Sequence, residues 1–540
     1  MLNPFKELSV LIVDDAPPIL TTIKIMLIRF GFAEQNIVTA KTAKLALVQA
    51  SAREFDIVIA DFNLGNGLNG KQLYEELIHY NHLNCNAIFI LITGDSSAST
   101  VRPIIELRPD EYILKPFTAN NLKQRLVMAL HRKRVLAPLY KAERDLNPQA
   151  GLRLCEEIAP FNKEYFFEIE QFRTSFLSML SMHSEAEKAF TSILDKKQAN
   201  WAKLGLANTL AHLGNHQQAN EIVANLLSTL PNDTYVRTEA AKINLLNNKI
   251  PHAISHLELA SKTTPGNSER ELVIANLCLS VEDYQQAIAR YKIYIELNKN
   301  TYRSDLYSEV NLIRLMLYQC LSNKTDTRCL DEAKQRIRIL LEKKYTNLEV
   351  EVDLIVAHYA VLQGNYSVAT NLLKKIKATG NSLHFYAQYH FLWLANFLEL
   401  EDDFCASFKQ AKNSLAIEQS QIVFASKLAL LDEIYKRNQL KNEWLDEQVN
   451  LLQDDKLPAS AQLEICMRIH ERNPLLKQIC IKIVELLRSA WPVGKGGRQV
   501  ENIVEGCDHV IRQLFEPAFL FESKYEDSLF IALEKCKARV

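Results

Sequence analysis

Four hydrophobic runs near the start of the chain, each ending in a polar or charged side chain, constrain the fold most strongly. The runs cover residues 9–13, 55–60, 87–92 and 111–114, and they precede Asp14-Asp15, Asp61, Thr93 and Lys115-Pro116. Continuous apolar runs of this length are typical of parallel strands that are buried on both faces. Because open α/β sheets bind ligands at the carboxyl ends of their strands, the runs predict one such edge carrying three acids, a hydroxyl and a lysine.

This order of residues resembles the receiver domain of two-component response regulators. That family has an acidic pair after its first strand, a phosphoacceptor Asp after the third, Thr or Ser after the fourth and Lys-Pro after the fifth. The resemblance covers about residues 1–131 and includes an aromatic residue, Tyr112, three positions before Lys115. It implies a CheY-like, doubly wound α/β domain of the flavodoxin-like class with a five-stranded parallel sheet.

The resemblance also implies a role for each carboxylate. Asp61 would accept the phosphoryl group, and Mg²⁺ would be the cofactor. Asp15 and Asp61 would bind the metal directly, Asp14 mainly through water, and Asn63 through its backbone carbonyl. The chemistry needs such a site, because a carboxylate attacks an anionic phosphoryl donor poorly unless the charge is neutralised, and Mg²⁺ takes oxygen ligands.

Three further residues complete the expected site. Lys115 would place a fixed positive charge beside the transferred phosphoryl oxygens, and Thr93 would donate a hydrogen bond to the acyl phosphate. With Tyr112, Thr93 would shift the face formed by the fourth helix, fifth strand and fifth helix of the domain. No other cofactor is expected.

The sequence departs from the family pattern in two places. Gly65 stands where a Pro usually follows the phosphoacceptor, in a loop rich in Gly and Asn that predicts positions with positive φ. Pro103 falls where the fourth helix is expected, so we predict a short or late-starting helix there, since Pro suits only a first turn.

Composition limits the partners and the compartment. The net charge is −1, with no basic stripe, so no nucleic acid is expected. Ten cysteines are scattered without a CxxC pair, which is typical of reduced cytosolic thiols. The first residues lack a signal-peptide core, and no apolar stretch reaches the roughly 18 residues that a membrane span needs, so we expect a cytoplasmic chain without membrane insertion.

Beyond the first domain the chain becomes rich in helix formers and shows an internal repeat. Alanines recur at one constant spacing in two series, the first comprising Ala207, Ala241 and Ala275, and the second Ala219, Ala253 and Ala287. Pro231 and Pro265 keep the same spacing. The pattern resembles the tetratricopeptide repeat of about 34 residues, in which two antiparallel helices cross at small residues because close helices leave no room for large ones.

The expected organisation has four parts. The receiver domain covers residues 1–131, and residues 132–149 form a helical linker that continues its last helix, within one helix predicted over residues 119–146. Repeats cover residues 150–420, most clearly 200–301 and 350–382, and residues 421–540 form a helical extension or cap. Together these parts predict a receiver domain followed by an all-α solenoid with a concave groove.

Three functions fit this organisation. In the first, a histidine kinase or phosphotransfer protein phosphorylates Asp61, and the repeats bind or release a protein ligand in response. In the second, the receiver is a competitor or phosphate sink that docks on a histidine kinase and limits phosphotransfer to another regulator. The third is an enzyme within residues 420–540; our expectation is a regulatory phosphoacceptor, not an enzyme, with dimerisation through the receiver left open.

Overall fold

The computed structural model describes residues 5–95, 103–104, 106–107, 109–323, 325–342, 348–380, 383–418, 420–453 and 457–539. These residues form two compact units, Met1–Ile274 with Arg290–Asp305 and Ala275–Ala289 with Leu306–Val540. The first unit contains the sheet and the second is helical. Among the described residues, no helix combines the length and apolar character that crossing a membrane requires.

A five-stranded parallel sheet forms the start of the first unit; the hydrophobic runs predict four of its strands, and the family resemblance implies the fifth. Its strands, in chain order, are β1 Val10–Val13, β2 Ile37–Ala40, β3 Ile57–Asp61, β4 Ile88–Thr93 and β5 Glu111–Leu114. They lie in the order β2-β1-β3-β4-β5, which is the doubly wound, flavodoxin-like arrangement. Every residue of β1, β3 and β4 is buried, because apolar side chains cover both faces of these strands.

Three helices follow the first strands: α1 Pro17–Phe30, α2 Ala43–Ala52 and α3 Gly70–His79. One apolar layer joins α1 and the last receiver helix to one face of the sheet, and a second joins α2 and α3 to the other. Pro103, Ile104, Glu106 and Leu107 are helical, but their neighbours, and so the start of the helix predicted around Pro103, lie outside the described residues.

The long helix α4, Ala119–Arg144, continues from the receiver into the helical region. It ends two residues before the predicted position, because Leu146 takes a left-handed conformation at φ 49°. The side chain of Asn147 then caps the next helix by accepting a hydrogen bond from Ala150 N. Pro138 lies exposed within α4, where it removes one backbone donor from the helix.

Helices follow one another through the rest of the described chain. In order, they are α5 Pro148–Ile158, α6 Phe166–Met179, α7 His183–Lys196, α8 Asn200–His212, α9 His216–Thr229, α10 Thr234–Leu246, α11 Ile250–Thr263, α12 Ser268–Ser280, α13 Tyr284–Leu297, α14 Leu306–Ser322, α15 Thr327–Glu342, α16 Glu349–Leu362, α17 Tyr366–Thr379, α18 Phe385–Phe397, α19 Glu401–Ser414, α20 Gln421–Leu452, α21 Ala459–Arg472, α22 Lys477–Leu486, α23 Gly497–Leu514, α24 Pro517–Glu522 and α25 Tyr525–Lys537. This is the helical series that the composition predicts, although the four domain boundaries stay predictions.

Three helix pairs repeat with the period that the alanines predict. Helices α8, α10 and α12 begin at positions with the same constant spacing as the alanines, and so do their partners α9, α11 and α13. The alanines of both series are almost completely buried, with exposed fractions of 2% or less. Small side chains therefore lie where the helices approach one another.

The turn within each pair repeats as well. Gly214, Asn248 and Glu282 follow one another at this spacing, and all have positive φ, of 82°, 54° and 64°. The next backbone N–H in each turn donates to a carbonyl of the helix before it, for example from Asn215 to Leu210. This is the Schellman arrangement, in which a left-handed residue closes a helix.

Replacing Ala253 with Leu should lower the free energy of unfolding by about 1–3 kcal/mol, because the buried contact between α10 and α11 has no room for the added atoms. Ser255→Leu is the matched control, since it places the same side chain on the exposed face of α11. Urea unfolding measures both. Equal losses in the two variants would mean that Ala253 does not lie at a tight contact.

Candidate functional site

The sheet register brings the predicted site residues to one edge. Val13 pairs with Ala60, so Asp14 and Asp61 follow neighbouring positions on β1 and β3. Thr93 pairs with Leu114, so Lys115 follows β5 directly beside the end of β4. The convergence is a consequence of parallel pairing, because all of these strands run in the same direction.

A lysine joins the two buried carboxylates at this edge. Lys115 Nζ lies 2.8 Å from Asp14 Oδ2 and 2.7 Å from Asp61 Oδ1. Asp14 is 2% exposed and Asp61 is 8% exposed, so two like charges lie in a poorly solvated place. Without the ammonium group between them, their repulsion and desolvation would be uncompensated.

The protonation preferences of the pair follow from burial and charge. Burial raises the pKa of the Asp61 carboxyl above its usual value, and the hydrogen bond and charge of Lys115 only partly oppose this. Burial lowers the pKa of Lys115, but the two carboxylates outweigh that effect and hold its pKa above the usual value. The lysine therefore remains charged, and Asp61 ionises at a higher pH than an exposed Asp.

Asp61 is also held by the loop that follows it. Asn63 N donates to Asp61 Oδ2 at 3.0 Å, and Gly70 N donates to Phe62 O at 2.8 Å. Gly70 begins α3, and a Cβ there would lie 2.3 Å from the backbone oxygen of Asp61. The phosphoacceptor candidate and the first turn of α3 are thus in direct contact, which only a residue without a side chain permits.

The donor set suits a small, hard cation. Asp15 is exposed at the mouth of the edge, whereas Asp14 and Asp61 lie beneath it. Gly65 lies against Asp15, since a Cβ on Gly65 would be 3.3 Å from Asp15 Oδ2. Three carboxylates against a single lysine leave an excess of negative charge, and oxygen ligands are those that Mg²⁺ prefers. The residues present therefore fit the predicted metal, although their individual roles stay predictions.

The two predicted switch residues differ in their surroundings. Thr93 is 1% exposed, and its hydroxyl oxygen accepts a hydrogen bond from Asp95 N at 3.1 Å. The backbone carbonyl of Thr93 accepts from Lys115 N at 2.7 Å, which ties the ends of β4 and β5 together. Tyr112 is 37% exposed on β5. The structure places Thr93 at the edge, while Tyr112 faces solvent.

A second feature, which the sequence did not predict, is a contact between α3 and the repeats of the same compact unit. Glu75 Oε2 lies 2.9 Å from Arg303 Nη1, and Glu76 Oε1 accepts a hydrogen bond from Tyr302 N at 2.6 Å. The His79 ring stacks on Tyr302 with centroids 3.6 Å apart. One face of α3 is therefore covered by the segment that follows α13.

The first turn of α3 takes part in the same contact. Lys71 Nζ donates to Gly266 O at 3.0 Å, and Gln72 Nε2 donates to Leu297 O at 3.0 Å. Gln72 also forms a capping box with Asn69, in which each side chain bonds the backbone N–H of the other. The Lys71 side chain is largely buried in this contact, and the loss of solvation lowers the pKa of its ammonium group.

A buried arginine contacts the receiver beside α3. Arg270, on α12, lies 2.6 Å from Glu106 Oε1 through Nη2 and is 5% exposed. It also donates to the carbonyls of Ala260 and Thr264, so it is held from both sides. Asn267 donates to Glu106 Oε2 at 3.3 Å. No motif marks these residues, because Glu106 is far from both of them in sequence.

The raised pKa of Asp61 makes the effect of Asp61→Asn depend on pH when no divalent metal is present. A carboxyl whose folded pKa exceeds its unfolded value costs stability as it ionises, so the cost grows as pH rises from the usual Asp pKa through the raised pKa of the folded state. The variant should therefore gain stability relative to wild type over this range. Urea unfolding in the presence of chelator at several pH values measures the difference in the free energy of unfolding. A variant whose stability relative to wild type falls as pH rises would contradict a raised pKa for Asp61.

Comparison with known proteins gives the same interpretation for the first part of the chain. Residues 10–127 match the response regulator receiver domain. The alkaline phosphatase synthesis transcriptional regulatory protein PhoP of Bacillus subtilis (strain 168) is 28% identical over 141 residues, which are 25% of this chain and 54% of that protein. The chemotaxis protein CheY-3 of Vibrio cholerae is 29% identical over 121 residues, which are 22% of this chain and 90% of that protein.

The solved structure of the chemotaxis response regulator CheY4 of Vibrio cholerae is 22% identical, covers 23% of this chain and 98% of its own, and has a TM-score of 0.21. The chain spans about half the length of the Bacillus relative. The N-terminal part of this chain is a response regulator receiver domain of the CheY-like kind.

Proposed function

We propose that this chain is a two-component response regulator that is phosphorylated on Asp61 and signals through protein binding by its helical repeats, which we assign to the tetratricopeptide class. The observation that carries the proposal is the direct contact of α3 with both Asp61 and the repeats. A change at the phosphoacceptor can reach the repeats through this one short helix. A histidine kinase or phosphotransfer protein would supply the phosphoryl group.

Phosphoryl transfer to Asp61 forms one bond to phosphorus and breaks another. A carboxylate oxygen of Asp61 forms a bond to phosphorus, the bond from phosphorus to the donor atom breaks, and the donor leaves with that electron pair. Asp14, Asp15, Asp61 and the Asn63 carbonyl would hold Mg²⁺, which neutralises charge on the phosphoryl oxygens when bound. Lys115 contributes a second positive charge from its position between Asp14 and Asp61.

Phosphorylation would disturb the contacts that hold Asp61 now. The new group carries a charge of about −1.5 to −2 and oxygens that accept hydrogen bonds strongly. Lys115 Nζ and Asn63 N, which contact the free carboxylate, are the nearest donors to these oxygens. Thr93 stands at the end of the next strand as a further hydroxyl donor. The loop between Asp61 and Gly70 would therefore rearrange.

Movement of that loop bears directly on the repeats. Gly70 has no space to move toward Asp61, since even a methyl side chain on Gly70 would overlap the backbone oxygen of Asp61. A shift of the loop must then displace the first turn of α3, where Lys71 and Gln72 bond to the repeats. The partly exposed pair of Glu75 and Arg303 contributes only about 0.2–1 kcal/mol, so this part of the contact can separate at little cost.

This route differs from the one that the sequence suggests. The sequence predicts the long helix α4 as the covalent connection between the receiver domain and the repeats, with Thr93 and Tyr112 as the residues that respond to phosphorylation. In the structure α4 carries Pro138, which weakens its hydrogen bonding, and its Leu136 packs with Leu139 and Phe176 in a separate core. We therefore propose that α3 is the principal route by which phosphorylation affects the repeats. Helix α4 would serve mainly as the covalent connection between the receiver domain and the repeats.

The full chain should incorporate phosphate from acetyl phosphate in the presence of Mg²⁺, with loss of acetate, because Asp61 lies beside both the metal ligands and Lys115. Asp61→Asn should abolish the labelling, and Asp56→Asn, which changes an acid at the opposite end of β3, should leave it intact. Radiolabelling followed by hydroxylamine, which cleaves acyl phosphates, is the measurement. Undiminished labelling of Asp61→Asn would contradict the site.

Beryllofluoride with Mg²⁺, which mimics the acyl phosphate, should speed amide exchange in residues 297–303. The Tyr302 N–H is the direct reporter, because it donates to Glu76 on α3. Val236 N, which donates to its own helix cap in another repeat, is the internal control and should not change. Hydrogen–deuterium exchange on the full chain gives both readings.

The same experiment with Asp61→Asn should show no response at residues 297–303. An equal response in the two proteins, or none in either, would remove the basis for gating through α3. The absence of a response, combined with stable binding of a histidine kinase that Asp61→Asn does not weaken, would favour the alternative in which the receiver competes for the kinase.

A further inference from the structure

The second compact unit contains a group of metal-binding side chains that the receiver chemistry does not use. His470 lies on α21, Cys480 on α22 and Cys507 on α23, so three successive helices each provide one ligand atom. These atoms all lie within 4.8 Å of one another. We propose that His470, Cys480 and Cys507 bind a borderline-soft divalent cation of the Zn²⁺ class.

The separations between ligand atoms match such an ion. Cys480 Sγ lies 3.7 Å from His470 Nδ1, and Cys507 Sγ lies 3.9 Å from the same nitrogen. Tetrahedral Zn²⁺, with bonds of about 2.3 Å to sulfur and about 2.0–2.1 Å to nitrogen, sets sulfur and nitrogen ligands about 3.6 Å apart. Cys507 Sγ also lies 3.9 Å from His470 Nε2, so the imidazole would have to turn until one of its nitrogens faces an ion held by both sulfurs.

Charge and burial also suit the cation. Both cysteines are completely buried, and two thiolates with a neutral imidazole balance a divalent charge. Hard cations such as Mg²⁺ prefer oxygen ligands, so this group would not compete for the metal of the receiver site. His470 is half-buried, which leaves one side of the group open as an entry path and as a fourth ligand position.

The group occupies a place where a metal would stabilise the structure. Helices α21, α22 and α23 pack on one another in sequence order and carry many buried apolar side chains. The same α23 contacts a repeat hairpin through His509, whose Nε2 lies 2.8 Å from Gly364 O. Gln513, one turn further along, accepts a hydrogen bond from Ser367 N. A metal at the three ligands would fix α23 and, with it, this contact to the repeats.

Cobalt substitution tests the proposal on the full chain. The protein is reduced, freed of metal with chelator, saturated with Mg²⁺ and titrated with Co²⁺. One Co²⁺ per chain should bind and give the thiolate-to-cobalt charge-transfer band and the intense visible bands of a tetrahedral site. Zn²⁺ should displace it stoichiometrically and raise the melting temperature.

Variants identify the ligands. Cys480→Ser and Cys507→Ser should each abolish the charge-transfer band and the rise in melting temperature, with helix content checked by circular dichroism. Cys536→Ser is the matched control, because Cys536 is equally buried on α25 but outside the ligand group, and it should bind Co²⁺ like wild type. If a variant fails to fold, His470→Ala gives the same test at a half-buried position.

Two results would overturn the proposal. One is the absence of a thiolate band in reduced wild-type protein, or a band that the double variant Cys480→Ser/Cys507→Ser retains. The other is a Cys480–Cys507 disulfide in protein isolated under conditions that keep other thiols reduced, which would show that these cysteines pair with each other in place of a metal.

Discussion

The ion pair of Lys115 with Asp14 and Asp61 is the interaction on which the functional edge depends. Parallel pairing forces the carboxylates together at the ends of β1 and β3, in a place with little water. Their repulsion is tolerable because β5 ends with an ammonium group within hydrogen-bond distance of both. The same geometry that raises the pKa of Asp61 places it at the edge where the proposed cation and phosphoryl group would bind.

The second constraint is steric and begins at Gly70. The backbone of α3 approaches the backbone of Asp61 so closely that no side chain fits between them. Gln72 then contributes to two structures at once, because its side chain caps α3 and also reaches Leu297. The N-terminus of α3 therefore depends partly on the repeats, and the repeats depend partly on α3 being capped.

Features that are local in sequence were predictable. Apolar runs indicate buried strands, and parallel strands place their following residues at one edge, so the convergence of the acids, Thr93 and Lys115 could be inferred from the sequence. The regular spacing of alanines likewise predicts where helices cross, since a buried contact without space selects small residues. Both inferences rest on periodicities that the backbone imposes on every chain.

The remainder depends on contacts between distant positions. Arg303 and Glu75 carry no pattern that pairs them, and Asn248 and Glu282, which are not glycines, take the same left-handed turn position as Gly214. His470, Cys480 and Cys507 lie at separations that match no metal motif, because three helices had to pack before the ligands met. Leu146 ends α4 through backbone geometry that its apolar side chain does not signal.

The contact of α3 with the repeats has a consequence for whatever binds those repeats. Coupling between two binding equilibria is reciprocal, so a ligand that prefers the repeats freed from α3 favours the phosphorylated receiver by the same factor. Such a ligand would act as an allosteric effector of the receiver as well as its target. Under the proposed function, the level of Asp61 phosphate would then depend on the abundance of that ligand as well as on the activity of the kinase, and the chain would combine two inputs.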